Sequence, residues 1–179
     1  MNGLDADRSL VAGGALLALL ALACWTDLRS RRIPNWITVP GMLVGSVLNA
    51  VHGVAGLTGA LLGVATAFLV ALPFFATGVL GGGDAKLLMA VGAFFGPVQF
   101  LWAALAIAVA GGVLALAEAA RRRMLGPVLA SCGRLLLAWL TVGPRAASGF
   151  GPRQPLAVPY GVAIAAGSGF WWFFGAGIV

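Results

Sequence analysis

The chain has 179 residues, 61% of them hydrophobic and 9% charged, with a mean hydropathy of +1.02. Soluble domains carry about 25% charged and about 45–50% apolar residues, so the composition excludes an ordinary water-soluble domain and points to the lipid bilayer. The net charge of +6 is not a nucleic-acid footprint, because the basic residues stand at the ends of apolar stretches, where topology signals lie; no nucleic-acid partner is expected.

Apolar segments run at 10–26, 37–53, 56–80, 85–97, 98–120 and 158–178. The first is preceded by Asp5, Asp7 and Arg8 rather than a basic leader, and no small-residue cleavage site closes it. It therefore reads as a retained span and not a removed signal peptide. About 20 apolar residues cross ~30 Å of hydrocarbon as a helix, and a helix satisfies its own backbone polar groups without water. The ten-residue alternating segments of a transmembrane barrel do not occur. Between the last two segments, 128–142 is apolar but short and carries Arg134, which predicts an interfacial or re-entrant helix on the cytoplasmic side. Residues 143–155, rich in Gly, Pro and Ser, predict a loop. The expected fold class is all-α: a polytopic membrane protein of about six transmembrane helices, forming one domain over 1–179.

Six spans put Arg29, Arg31, Arg32, Lys86, Arg121, Arg122, Arg123, Arg134, Arg145 and Arg153 on one side and Arg8 alone on the other. By the positive-inside rule the crowded side is cytoplasmic and both termini lie outside. Asp27 ends one segment and Asp84 begins another at this same face, so helix packing can bring them together. Cys24 and Cys132 form no C-x-x-C pair and His52 is the single histidine. No metal site and no cofactor is expected.

Of the five acids, Asp5 and Asp7 belong to a polar tail. Glu118 precedes Arg121 and Arg122 by helical ion-pair spacing. Asp27 and Asp84 each border an apolar span, where an ionisable side chain is by default a functional candidate. The plainer alternative pairs Asp27 with the arginines of "DLRSRRIPNW" and makes Asp84 the cap of the following helix. Three consecutive glycines before Asp84, in "GGGDAKLL", exceed what a cap requires and let another segment approach closely. Two carboxylates sharing one proton are the basic apparatus of aspartic proteolysis, one acting as base on a water while the other protonates the carbonyl.

Three stretches carry a resemblance. "CWTDLRSRRIPNWIT" resembles the first signature of the type IV prepilin peptidases. "GGGDAKLLMAVGAFFG" is similar to their second, the G-x-G-D of intramembrane aspartyl proteases. "VPYGVAIAAG" at 158–167 looks like the Pro-aromatic-Gly stretch opening their last span. The resemblance implies an aspartic endopeptidase in the bacterial inner membrane. Its catalytic pair would be Asp27 and Asp84, with Gly81, Gly83, Lys86, Pro34 and Asn35 as motif or substrate-binding residues. It would cut basic leaders from type IV (Flp-like) prepilin and pseudopilin precursors, after a Gly at the cytoplasmic boundary. The paired C-x-x-C sites of the larger, methylating members are not present in these residues, which resembles the small peptidase-only group. Lys86 reads first as a snorkelling anchor. Two other readings compete: a proton-coupled carrier or scaffold whose acids are structural, and a signal-peptide or presenilin-like protease. Carriers place carboxylates near the bilayer midplane, whereas here both stand at one face.

Overall fold

The computed structural model describes residues 3–76, 78–126, 130, 133, 137 and 160–175. Among them there are helices and no strand: α1 (Gly3–Ser30), α2 (Asn35–Ala50), α3 (Gly53–Ala76), α4 (Gly82–Arg121) and α5 (Tyr160–Phe170), the last continuing as a π-helical turn, Trp171–Gly175. The interfacial helix expected over 128–142 lies outside the described residues, apart from helical Ala130, Gly133 and Leu137. The loop expected at 143–155 lies outside them altogether.

Among the described residues, three helices are long and apolar enough to cross a membrane: Leu10–Ser30, Gly53–Ala76 and Gly82–Arg121. Their outer faces carry large apolar side chains in the open, among them Leu22, Leu61, Leu69, Leu101 and Val109, an arrangement suited to lipid and not to water.

α4 has 40 residues, which as one straight rod would measure about 60 Å, twice the hydrocarbon thickness. It is not straight. Gly96 adopts φ 73° and ψ 177°, outside any helical conformation, and Pro97 follows. The sequence places a boundary between segments at 97/98, and the backbone breaks one residue earlier, where glycine alone tolerates the positive φ. The two arms fold back on one another, so that Leu88 of the first and Gly111 of the second line one apolar cavity with Ile164 of α5.

The break releases carbonyls that a continuous helix would satisfy, because Pro97 has no N–H to give Ala93. Asn49, near the end of α2, supplies the donors: its side-chain amide lies 2.9 Å from the Ala93 oxygen and 3.3 Å from that of Phe94. Backbone contact seats α3 against the same arm. A Cβ built on Gly63 would sit 2.0 Å from the Gly92 carbonyl oxygen, so the two helices touch main chain to main chain.

α4 packs on α2, α3 and α5, while α1 packs on α2 and α5. The core where they meet contains Leu16, Leu20, Leu87, Val91, Phe100 and Ile164. α5 is fastened along the second arm. A Cβ on Gly167 would lie 2.4 Å from Ile107 Cα, and Trp171 donates its indole N–H to Gln99 Oε1 at 2.9 Å while stacking on Trp102. Trp172 packs on Phe95 and over Gly13. Both tryptophans are thus packing residues.

Asn49→Leu removes the donors at the break while keeping volume, leaving carbonyls unpaired away from water. The expected cost is about 1–3 kcal/mol. It is measured as a lowered denaturation midpoint in detergent; an unchanged midpoint would show that the break needs no external donor.

Candidate functional site

Asp27 occupies the last turn of α1, where its main-chain carbonyl accepts the Arg31 N–H at 2.8 Å. The helix stops because Arg31 takes a left-handed conformation, φ 51°, a place glycine usually fills and a non-glycine residue holds only at some cost. That reversal turns the chain back toward the helix it has just left. Pro34, extended at φ −76° and ψ 151°, then opens α2 as its N-cap, a place where its missing N–H costs nothing. So the Ile-Pro part of the first motif forms a tight α1–α2 corner that returns Ile33 beside Asp27.

The second motif begins where α3 ends. Gly78 at φ 73° reverses the chain, and the N–H groups of Val79 and Leu80 bond back to the Phe74 carbonyl. Gly81 is the N-cap of α4, and its carbonyl accepts the Ala85 N–H at 3.0 Å. Asp84 is therefore not the N-cap residue; it stands in the first helical turn, three residues further in. Its carboxylate folds back over Gly81, where an added Cβ would lie 3.0 Å from Oδ2. A Cβ on Gly83 would lie 2.8 Å from the Ile33 carbonyl oxygen and 3.1 Å from Ile33 Cβ. Gly82 meets only Phe75, at an ordinary 3.7 Å. The third glycine is thus demanded by close approach to the main chain of the α1–α2 corner, the first leaves the Asp84 carboxylate its place against the helix start, and the middle one is not constrained in this way. This is a steric account of the G-x-G-D pattern.

Asp27 and Asp84 line a single cavity of about 300 Å³ together with Arg31, Arg32, Ile33 and the three glycines. That space holds several waters, each occupying about 30 Å³ in the liquid. Asp27 is 6% exposed and Asp84 is half-buried. Among the described residues no arginine forms an ion pair with Asp27; the ion pairs there join Glu118 to Arg121 and Arg122, as the spacing predicted. Asp27 Oδ2 instead accepts the buried Gly161 N–H, from the first turn of α5, at 2.8 Å.

Two further residues of the motifs meet. Lys86 Nζ donates to Asn35 Oδ1 at 2.8 Å on the exposed side of the corner, a second tie between the start of α4 and the start of α2. Sequence reasoning named both residues but gave Asn35 no role. It also missed Gly161, although the third resemblance stretch, 158–167, contains it; nothing in the spacing says which side chain that glycine will face. Among the described residues there is no cluster of His, Cys, Asp and Glu able to hold a metal ion.

Residues 14–116 match the model of the type IV leader peptidase family. The chain belongs to the type IV leader peptidase family. No curated protein and no solved structure matches it. The matched stretch takes in the C-terminal part of α1 from residue 14, all of α2 and α3, nearly all of α4, and both aspartates, and stops before α5. Membership in the type IV leader peptidase family identifies the protein as a peptidase, and its apolar helices identify it as a membrane protein.

The steric difference between the glycines has a direct test. Gly82→Ala should keep leader-peptidase activity within about twofold, since the added methyl makes only an ordinary contact with Phe75 and favours the helix. Gly83→Ala, driving a methyl into main chain at the corner, should lower activity about 100-fold, the scale of an ångström-sized misplacement. Equal effects of the two substitutions in a cleavage assay would refute the account.

Proposed function

We propose that this protein is a prepilin leader peptidase in which Asp27 and Asp84 form the catalytic dyad. The observation that carries the reading is their meeting in one cavity with room for water, from opposite helix ends, within a chain of the type IV leader peptidase family. One carboxylate enters ionised and the other protonated, because two like charges sharing a site do not both ionise. The ionised member takes a proton from water, and the resulting hydroxide oxygen bonds to the carbonyl carbon of the scissile Gly. The protonated member gives its proton to the carbonyl oxygen. In the second half the proton gained from water passes to the leaving nitrogen and the C–N bond breaks. One hydroxyl of the diol returns its proton to the other carboxylate, and the dyad again holds one proton.

The proposed substrates are type IV, Flp-like prepilin and pseudopilin precursors with a short basic leader, cut after a Gly. The reading covers hydrolysis alone and needs no metal or cofactor. We place the protein in a bacterial inner membrane as a single peptidase domain over 1–179, with the cavity at the cytoplasmic face and both termini outside. Among the described residues, α1, α2, α3, the two arms of α4 and α5 supply six helical segments that support that topology. The first arm, 82–95, measures about 21 Å, less than the ~30 Å hydrocarbon thickness, which draws Asp84 slightly inward of the boundary. Arg31, Arg32 and Lys86 stand at this end, the basic side of the chain.

Co-expression with an Flp-type prepilin, followed by leader removal as a gel shift, tests the reading. Asp27→Asn and Asp84→Asn should each abolish cleavage while leaving membrane insertion intact, since Asn keeps the shape and can neither share nor accept the proton. Cleavage near the wild-type rate in either variant would remove the dyad from the mechanism.

A further inference from the structure

We propose that Gly161 is a positioning residue for Asp27: the N–H that opens the last helix holds Oδ2 of the carboxylate and leaves Oδ1 for the water shared with Asp84. The inference rests on the dyad reading above. It concerns a residue outside the stretch that matches the family, 14–116.

Asp27 is buried, and its carboxylate accepts the Gly161 amide N–H, 2.8 Å from Oδ2. That amide belongs to the first turn of α5, where main-chain N–H groups have no partner within the helix and the helix dipole favours a negative group. A bond to one oxygen fixes the rotation of the carboxylate, so the second oxygen has a defined direction. The fit also excludes any side chain at 161. A Cβ there would lie 2.8 Å from Oδ2, 3.0 Å from Asp27 Cβ and 3.2 Å from Cγ. All three clashes are with the same aspartate, so a side chain would displace this carboxylate before anything else.

α1 packs mainly on α2 and α5, with little direct contact to α4, so the orientation of Asp27 relative to Asp84 is set through the α1–α2 corner on one side and through α5 on the other. That helix is seated on the second arm of α4 by the Gly167–Ile107 approach at one point and the Trp171–Gln99 bond at another. Gly161 therefore transmits the position of α4, which carries Asp84, to the carboxylate at the end of α1.

Replacing Gly161 by glycolic acid, through suppression of a stop codon, converts the 160–161 amide to an ester. It removes the donor and adds no atom, so the steric fit is preserved. Cleavage of the Flp-type prepilin by the folded, monodisperse fraction should fall roughly 10- to 100-fold in kcat, with KM within about twofold. Gly161→Ala should lose at least as much, while Gly169→Ala on the same helix, whose Cβ meets nothing within 4 Å, should match the wild type. An ester variant with wild-type kcat would overturn the proposal. So would one whose KM alone rises, or whose unfolding midpoint drops with kcat of the folded fraction unchanged. Activity in Asp27→Asn would instead defeat the dyad, a separate result.

Discussion

A buried carboxylate in an apolar chain has to be solvated by the protein itself, and much of this structure follows from that requirement. Leaving an ionisable group unpaired away from water costs several kcal/mol, and a membrane protein has little water to lend. Asp27 is placed awkwardly in this respect, at the C-terminal end of α1, where the main chain already presents partial negative charge. Its compensation comes from the opposite kind of helix end, the first turn of α5. Asp84 takes the favourable position directly, in the first turn of α4. Two acids thus sit between two helix starts, with a small cavity between them.

The same rule governs the polar groups that do no chemistry. The break at Gly96–Pro97 leaves main-chain carbonyls of the first arm without their helical partners, and Asn49 reaches across from α2 to meet them. Glu118 is matched by two arginines at the end of α4, and Trp171 by Gln99. Of these, Asn49 answers a defect in a helix, whereas the buried hydroxyls of Thr38 and Ser168 have no hydrogen-bond partner among the described residues. The bundle can then be built from small residues at its contacts, because little else competes for the space: Gly63 on Gly92, Gly83 on Ile33, and Gly167 on Ile107 all bring main chain to main chain.

This packing explains why the motif glycines are spaced as they are. Gly81 clears room for the Asp84 carboxylate to fold back, and Gly83 lets the α1–α2 corner rest on the start of α4. The corner itself depends on Arg31 accepting a left-handed conformation. The Lys86–Asn35 bond spans the outside of the same junction. An exposed bond of this kind contributes little to stability, about 1 kcal/mol or less, but it links the two motif segments at a second point and so limits how they move relative to each other.

The sequence alone determined what depends on local composition. Long apolar runs can only be membrane helices, so the all-helical class was legible from hydropathy, with helix positions right to a few residues. The Glu118 ion pair was legible because three- and four-residue spacing sets neighbours on a helix whatever the rest of the chain does. Asp27 and Asp84 stood out as acids bordering apolar spans, and the family resemblance named them together. What the tertiary structure alone decided were contacts between residues far apart in the chain: that the two acids share one cavity, that Asn35 receives Lys86, that Asn49 repairs the break at Gly96, and that Gly161 holds Asp27. None of these leaves a periodic trace. Each arises because helix packing brings a group of one segment within reach of another, and the position of each crossing is set by side-chain packing summed over the whole bundle rather than by any short stretch of residues.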